Sequence, residues 1–319
     1  MTQSDKRKNM IKIAKLYYYG HMTQEQIAQM MGMSRSKVTR LLMEAEQYGI
    51  VQITVHDPTF NYERAAEILK EHFQLKIVTI VPSSGSAREV KDTIGKTASR
   101  FLNEHLFDSI KIGISWGTTV GAFVGRFQTN KSLPKAWVVQ MVGGTYSQSM
   151  HMDGQELAKG LAMRLKCSFS ALQAPMFVHN PELRNLIMEE PETIAHFRLI
   201  SNLDIAFVGI GSSNYKESVI FKAGYIEENE ARRLYSTGVC DICGHQIDIN
   251  GREQDQDLAA HLIGISLEDL ARIPLVIGMC AGSDRTASIL SGIHGKYLKG
   301  LIIDEIAAIS LLQAEGLEL

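Results

Sequence analysis

The chain has 319 residues, 45% of them hydrophobic and 21% charged, with a formal net charge of −2. That is the composition of an ordinary water-exposed protein, long enough to bury a sizeable core and to hold one small and one large domain. No apolar run approaches the roughly 20 residues needed to cross a bilayer. The N-terminus, MTQSDKRKNM, lacks the apolar core of a signal peptide. A cytoplasmic protein with no membrane partner is expected. The charge is uneven: residues 1–56 carry eight basic and four acidic side chains, a net of +4, and the remainder carries −6. A basic head on an acidic body suits a head that binds a polyanion and a body that does not.

Residues 8–19, KNMIKIAKLYYY, have apolar positions at helical spacing and predict the first helix of the head. The next stretch, MTQEQIAQMMGMSRSKVTRLLMEAEQYG over 22–49, reads as two short helices joined by a tight turn. Thr23 and Gln26 have the spacing of a capping box. Gly32 supplies a left-handed cap, and Ser34 starts the second helix. Val38, Leu41, Leu42 and Ala45 make one buried stripe. The opposite face carries Arg35, Ser36, Thr39 and Arg40, with Lys37 on its flank. Such hydroxyls and forked cations reach base edges and phosphates when a helix lies in a major groove. A helix-turn-helix is therefore expected, with Thr23 and Gln24 at the start of its first helix also placed among the DNA-binding residues. The competing reading is a helical hairpin with a solvated basic face.

Ile50–Val55 alternates and ends at Asp57-Pro58, which predicts a wing strand closing a domain of residues 1–58. Residues 60–73 predict a connecting helix with Ala65, Ile68, Leu69 and Phe73 on one side. From Leu75 short β-branched runs recur, at 77–81, 110–115, 137–142, 168–174, 205–210, 239–243, 275–279 and 301–303. Amphipathic stretches such as 89–107, 119–128, 154–165, 284–296 and 304–313 lie between most of them. This pattern predicts an α/β body over 59–319 with a mainly parallel sheet covered on both faces.

In such a sheet ligands bind at the carboxyl ends of the strands. After 110–114 comes Ser115-Trp116-Gly117-Thr118-Thr119, a turn feeding a helix, whose amides and hydroxyls suit a phosphate or another anion. Gly143-Gly144, Gly209-Ile210-Gly211 and Ala281-Gly282-Ser283-Asp284-Arg285 follow three other strands. Glycines there let a ligand or another backbone approach closely. Arg285, at a helix start, is explained either by a ligand anion or by a salt bridge. Neither a Walker loop nor G-x-G-x-x-G occurs, which argues against ATP or NAD, and no cofactor is expected. Of the four cysteines, Cys240-x-x-Cys243 has the spacing of a redox pair or of half a zinc site, with His245 a conceivable third ligand, but no second pair follows to complete the ligation. Small residues on a buried strand are the expectation there, and no metal.

These blocks resemble the SorC (SorC/DeoR) family of bacterial sugar-responsive transcription regulators over nearly the whole chain. The head pattern L-Y-Y-Y-x-x-M-T-Q-E-Q-I-A-x-x-M-G-M-S-R-S-K-V-T-R-L-L resembles the family's winged head. G-I-S-W-G-T-T, V-G-I-G, C-D-I-C-G-H and L-K-G-L-I-I-D-E resemble its effector domain. The resemblance implies a Rossmann-like body folded like ribose-phosphate isomerases and glucosamine-phosphate deaminases, used as a sensor of phosphorylated sugars or polyols. It also implies a homo-oligomer, dimer or tetramer, on palindromic double-stranded operator DNA. By position, Ser115, Gly117, Thr118 and Thr119 would hold a phosphate, and Asp241 would accept hydrogen bonds from sugar hydroxyls. Gly143, Gly144, Gly209 and Gly211 would shape the walls, with Asp153 and Gln155 in the loop beyond reaching the ligand. Gly282 and Arg285 fall where many members have A-G-G-x-x-K, so this chain presents a planar fork instead of an ammonium. Thr118 replaces the lysine of relatives that form a Schiff base, which excludes covalent sensing through that residue. The alternative is an isomerase- or deaminase-like enzyme with a DNA-binding head. Its acid–base groups would come from Asp241, Asp248, Glu253 and His245, although no catalytic cluster stands out.

Overall fold

A computed structural model of the chain describes residues 3–48, 50–51, 60–144, 153–222, 224–236 and 240–319. The chain divides into two compact units, Met1–Val55 and His56–Leu319. The expected wing strand lies mostly outside the described residues, as does Pro58.

In the first unit α1 (Gln3–Ala14) runs on through a π-helical turn, Lys15–Tyr19, and is followed by α2 (Gln24–Met31) and α3 (Arg35–Gln47). Thr23 and Gln26 form the reciprocal capping box: the Thr23 amide donates to Gln26 Oε1 at 2.9 Å and the Gln26 amide to Thr23 Oγ1 at 3.3 Å. Gly32 takes φ 62°, a conformation that costs residues with a Cβ free energy, and so ends α2 where the chain turns. Ser34 then caps α3 by accepting from the Lys37 amide. Val38, Leu41, Leu42 and Ala45 are buried against Met10, Ile13, Ile27 and Ala28. Burying each large aliphatic side chain contributes about 1.5–3 kcal/mol, so this stripe holds a small three-helix core together.

The second unit opens with α4 (Tyr62–His72), whose Ala65 and Leu69 are buried. The sheet strands are β1 (Ile77–Val81), β2 (Lys111–Ile114), β3 (Trp137–Gln140), β4 (Ser168–Ser170) and β5 (Ile205–Gly209). The helices among them are α5 (Ala87–Glu104), α6 (Thr118–Arg126), α7 (Gly154–Leu165), α8 (Pro181–Glu189) and α9 (Pro191–Ile200). Beyond β5 come α10 (Val219–Lys222) and α11 (Glu228–Ser236), then the strands β6 (Cys240–Ile242) and β7 (His245–Ile247). The chain closes with α12 (Gln256–His261), α13 (Leu267–Arg272), β8 (Leu275–Cys280), α14 (Thr286–His294), β9 (Gly300–Asp304) and α15 (Glu305–Ala314).

Among the described residues seven strands form one sheet in the order β1-β9-β8-β5-β2-β3-β4, and every pairing in it is parallel. Alternation along the strands fills both faces. Ala206, Val208, Leu301 and Ile303 enter one core with Leu69, Ile289 and Leu311. Ile205, Phe207 and Ile302 enter the other with Ile94, Phe123 and Leu161. This is why the strands read as near-continuous apolar runs.

One expected sheet strand belongs elsewhere. Cys240–Ile242 pairs antiparallel with β7 in a separate hairpin. Cys243 (φ 56°) and Gly244 (φ 89°) turn the chain back after three residues, so it never runs alongside the sheet. The 168–174 run is also shorter than expected, leaving the sheet after Ser170.

Candidate functional site

From β2 the chain steps outward to β3 and β4, whereas from β5 it steps the other way to β8 and β9. The reversal opens a crevice at the carboxyl ends of β2 and β5, the place where α/β sheets take ligands. One lip is Ser115–Thr119, the other Gly209–Ser213. They are joined directly: the Gly209 amide donates to Ser115 Oγ at 3.3 Å, and the Ser115 amide to the Phe207 carbonyl at 3.2 Å.

Gly117 stands at the N-cap of α6 with φ 108° and makes no side-chain cap bond. The first-turn amides of a helix have no intrahelical acceptor, so this end presents donors and the positive end of the helix dipole. Thr118 and Thr119 follow at once, and Thr119 is buried.

A register between two helices brings a residue here that sequence reasoning missed. A Cβ on Gly95 would meet the Ala122 backbone at 2.6 Å, so α5 and α6 touch without intervening side chains. One turn onward, Ser99 Oγ donates to the Arg126 carbonyl. One turn back, the Lys91 ammonium donates to Thr118 Oγ1 at 2.9 Å. Burial and the neighbouring Arg285 guanidinium hold the half-buried Lys91 below its usual range. A lysine on an amphipathic helix carries no signal in sequence that it faces inward.

The opposite wall is built by the hairpin and by the segment after β8. The Gly211 amide donates to the Asp241 carbonyl at 3.0 Å. Asp241 is buried; its Oδ1 accepts from the Gly244 amide at 3.3 Å and its Oδ2 from Gln246 Nε2 at 3.1 Å. Burial outweighs those bonds and pushes its carboxyl up to about 6. Asp284, also missed in sequence, accepts from Ser212 Oγ and from Arg285 Nη1, each at 2.7 Å. Arg285 therefore has a salt bridge, and lies in a 3-10 turn at the N-cap of α14. The Gly282 amide is held by Asp304 Oδ1 at 2.9 Å. Beside this wall is an open cavity of about 320 Å³ lined by Ser213, Asn214, Tyr215, Arg232, Tyr235 and Ser236.

Several expected wall glycines are small for their protein neighbours. A Cβ on Gly143 would lie 2.5 Å from the Pro175 carbonyl oxygen, and one on Gly209 3.3 Å from that of Trp116. Gly144 has room, and its amide pairs with Ala174. Asp153 sits at the N-cap of α7, accepting from the Gln155 amide at 2.9 Å, so Gln155 is helical and not in a loop. Residues 145–152, the rest of that connection, lie outside the described residues.

The carboxylates weighed for catalysis have other tasks. Asp248 accepts from the Asn250 and Arg252 amides and closes a turn. Glu253 lies 2.6 Å from His245 Nδ1, while His245 Nε2–H donates to the Ile265 carbonyl at 2.8 Å. Both ring nitrogens are thus spent on holding the hairpin. Burial raises the Cys240 thiol to about 12 and the Cys243 thiol still further. Among the described residues no group of three His, Cys, Asp or Glu is placed to hold a metal ion, and no helix is long and apolar enough to cross a membrane.

In the first unit Arg35, Ser36 and Arg40 are exposed on α3, with Lys37 and Thr39 half-buried. Thr39 Oγ1 donates to Gln24 Oε1 at 2.7 Å, pinning α3 to α2. Among the described residues the charged groups of Arg35, Lys37 and Arg40 make no ion pair.

A family described as "Putative sugar-binding domain" matches residues 57–313. The sorbitol operon regulator of Klebsiella pneumoniae is 30% identical over 98% of this chain and 100% of its own length. The deoxyribonucleoside regulator of Bacillus subtilis is 28% identical over 97% and 98%. The crystal structure of the full-length Klebsiella sorbitol operon regulator SorC superposes with a TM-score of 0.74 at 29% identity, covering 96% of this chain and 98% of that one. Each of these relatives is a regulator. With that family spanning most of its length, and a relative at 30% identity over nearly all of it, the chain belongs to the SorC family of transcriptional regulators and carries the family's sugar-binding domain.

Proposed function

We propose that the protein regulates a carbohydrate-utilisation operon. In this reading residues 1–58 are a winged helix-turn-helix that reads operator DNA, and 59–319 sense a small phosphorylated sugar or polyol. The observation that carries the sensor reading is the α6 N-terminus at the switch point of the sheet. It has no side-chain cap and is flanked by Ser115 Oγ, Thr118 and Thr119. Free amides, hydroxyls and the dipole suit an anion there. Asp241 across the crevice has lone pairs left for sugar hydroxyls after its two hairpin bonds. Gly144, Asp153, Gln155, Gly282 and Arg285 complete the proposed surround.

For the head, the proposed base-reading residues are Arg35, Ser36, Thr39 and Arg40, with Lys37 on a phosphate and Thr23 and Gln24 at the groove edge. A dimer or tetramer would set two recognition helices on half-sites about 34–36 Å apart, or a multiple of that. The effector acts by linkage: it shifts DNA affinity only by its differential affinity for two states, typically about 5–150-fold. A thermal-shift screen of phosphorylated and unphosphorylated sugars and polyols tests the reading. A phosphorylated compound raises the melting temperature and changes the operator affinity. At 100 times its Kd a ligand that binds only the folded state adds about 2.7 kcal/mol. A screen in which only neutral sugars stabilise the protein refutes the phosphate, and turnover of a sugar phosphate refutes the regulator.

A further inference from the structure

We infer that Lys91 is an anion ligand of this crevice, forming with the α6 N-terminus the seat for a doubly charged group such as a phosphate. The inference rests on the anionic effector proposed above and adds a residue from outside the turn that carries the glycine and hydroxyls.

Four observations make the ammonium hard to explain otherwise. Lys91 is half-buried, although it lies on a helix with ample exposed face for a lysine. Its one side-chain bond among the described residues is to Thr118 Oγ1, a neutral hydroxyl. Thr118 is the first residue of α6, so the ammonium stands at the positive end of a helix dipole, where a cation is disfavoured. The charges that act on it come from other segments. Arg285 and Asp284 lie after β8, Glu217 precedes α10, and Lys222 ends α10.

The two carboxylates of that group are already taken. Asp284 pairs with Arg285 at 2.7 Å and Glu217 with Lys222 at 2.7 Å. Among the described residues Lys91 makes no ion pair of its own, and it is acted on by a guanidinium whose side chain is only 18% exposed. The α5–α6 register at Gly95 and Ala122 sets the Lys91 backbone against the first turn of α6, within reach of Thr118. A dianion seated at the α6 N-terminus offsets all of these costs at once. It would accept from first-turn amides, from the Thr118 hydroxyl and from the ammonium, each a charge-assisted bond. Neutral sugars offer no such compensation, so Lys91 is a specificity residue for charge.

The test uses the full chain and inorganic phosphate as the probe, at ionic strength held constant with potassium chloride. Melting temperature is followed against phosphate for the wild type, Lys91→Met and Lys91→Arg. The wild type responds saturably, Lys91→Met needs at least tenfold more phosphate for half the shift, and Lys91→Arg recovers most of the loss. In chloride alone Lys91→Met melts at or above the wild-type temperature, because it removes a cation that has no ion-pair partner among the described residues. If the wild type saturates and Lys91→Met titrates identically, the role of Lys91 is wrong while the phosphate seat stands. If both variants lose the response equally, Lys91 acts by packing and the inference fails. A wild type indifferent to phosphate overturns the seat and the inference together.

Discussion

Gly211 and Asp241 touch backbone to backbone: a Cβ added to Gly211 would stand 2.8 Å from Asp241 Cβ and 3.0 Å from its carbonyl oxygen. The contact fixes the end of β5 against the hairpin and sets where the Asp241 carboxylate sits. Gly211→Ala therefore forces the hairpin outward. Overpacking of this kind costs about 1–3 kcal/mol, so the melting temperature falls by several degrees in a chain that still folds. A variant with wild-type melting shows that the hairpin yields freely.

Asp241 also makes stability depend on pH. Its carboxyl is raised to about 6 in the folded chain by burial, against about 3.9 unfolded. The folded state thus binds the proton more tightly. The resulting stability is fully present below pH 4 and is lost as pH rises through 6. By neutral pH the loss amounts to roughly 3 kcal/mol. Asp241→Asn, which cannot ionise, flattens this loss: relative to wild type it gains stability between pH 4.5 and 7.5 in urea melts. Parallel pH profiles for the two proteins contradict the burial argument.

On the head, Arg40→Ala removes an exposed guanidinium of α3 that makes no ion pair among the described residues. Operator preference over scrambled duplex falls about 10–100-fold, the scale of one bidentate base contact, while effector-induced melting shifts stay intact. Lys37→Ala weakens binding to all duplexes alike and lowers the salt slope by about one. Full sequence discrimination by Arg40→Ala, measured by gel shift at fixed salt, removes Arg40 from the reading set.

Thr39 has a second duty. Its hydroxyl donates to Gln24 Oε1 at 2.7 Å and to the Arg35 carbonyl at 3.1 Å. Thr39→Val keeps the shape and deletes both bonds, costing the head about 1 kcal/mol. Hydrogen exchange of the α2 and α3 amides, faster in the variant by about fivefold, reads that loss directly.

The hairpin thiols are predicted to be inert. Cys240 and Cys243 are buried, and burial holds both protonated well above neutral pH. In the native chain at pH 8 they label with a thiol reagent only on unfolding. Replacing both with serine leaves the proposed effector's change in operator affinity as in the wild type, whereas loss of that response makes the pair a sensor.

Local sequence carried much of this architecture. The run at 77–81 and the stretch at 154–165 coincide with β1 and α7, because a continuous β-branched run and an apolar stripe at helical spacing each favour one element locally. The capping box at Thr23 and the left-handed Gly32 were legible for the same reason: cap and turn chemistry acts within four residues. The Ser115–Thr119 turn could be singled out because all of it lies in one short segment. Tertiary structure alone decided that Cys240–Ile242 leaves the sheet, that Lys91 faces Thr118 across 27 residues, and that Asp284 anchors Ser212 and Arg285. Those pairings depend on which helix crosses which and at what register. A charged side chain's partner is set by that packing, and nothing in its own neighbourhood of the chain encodes it.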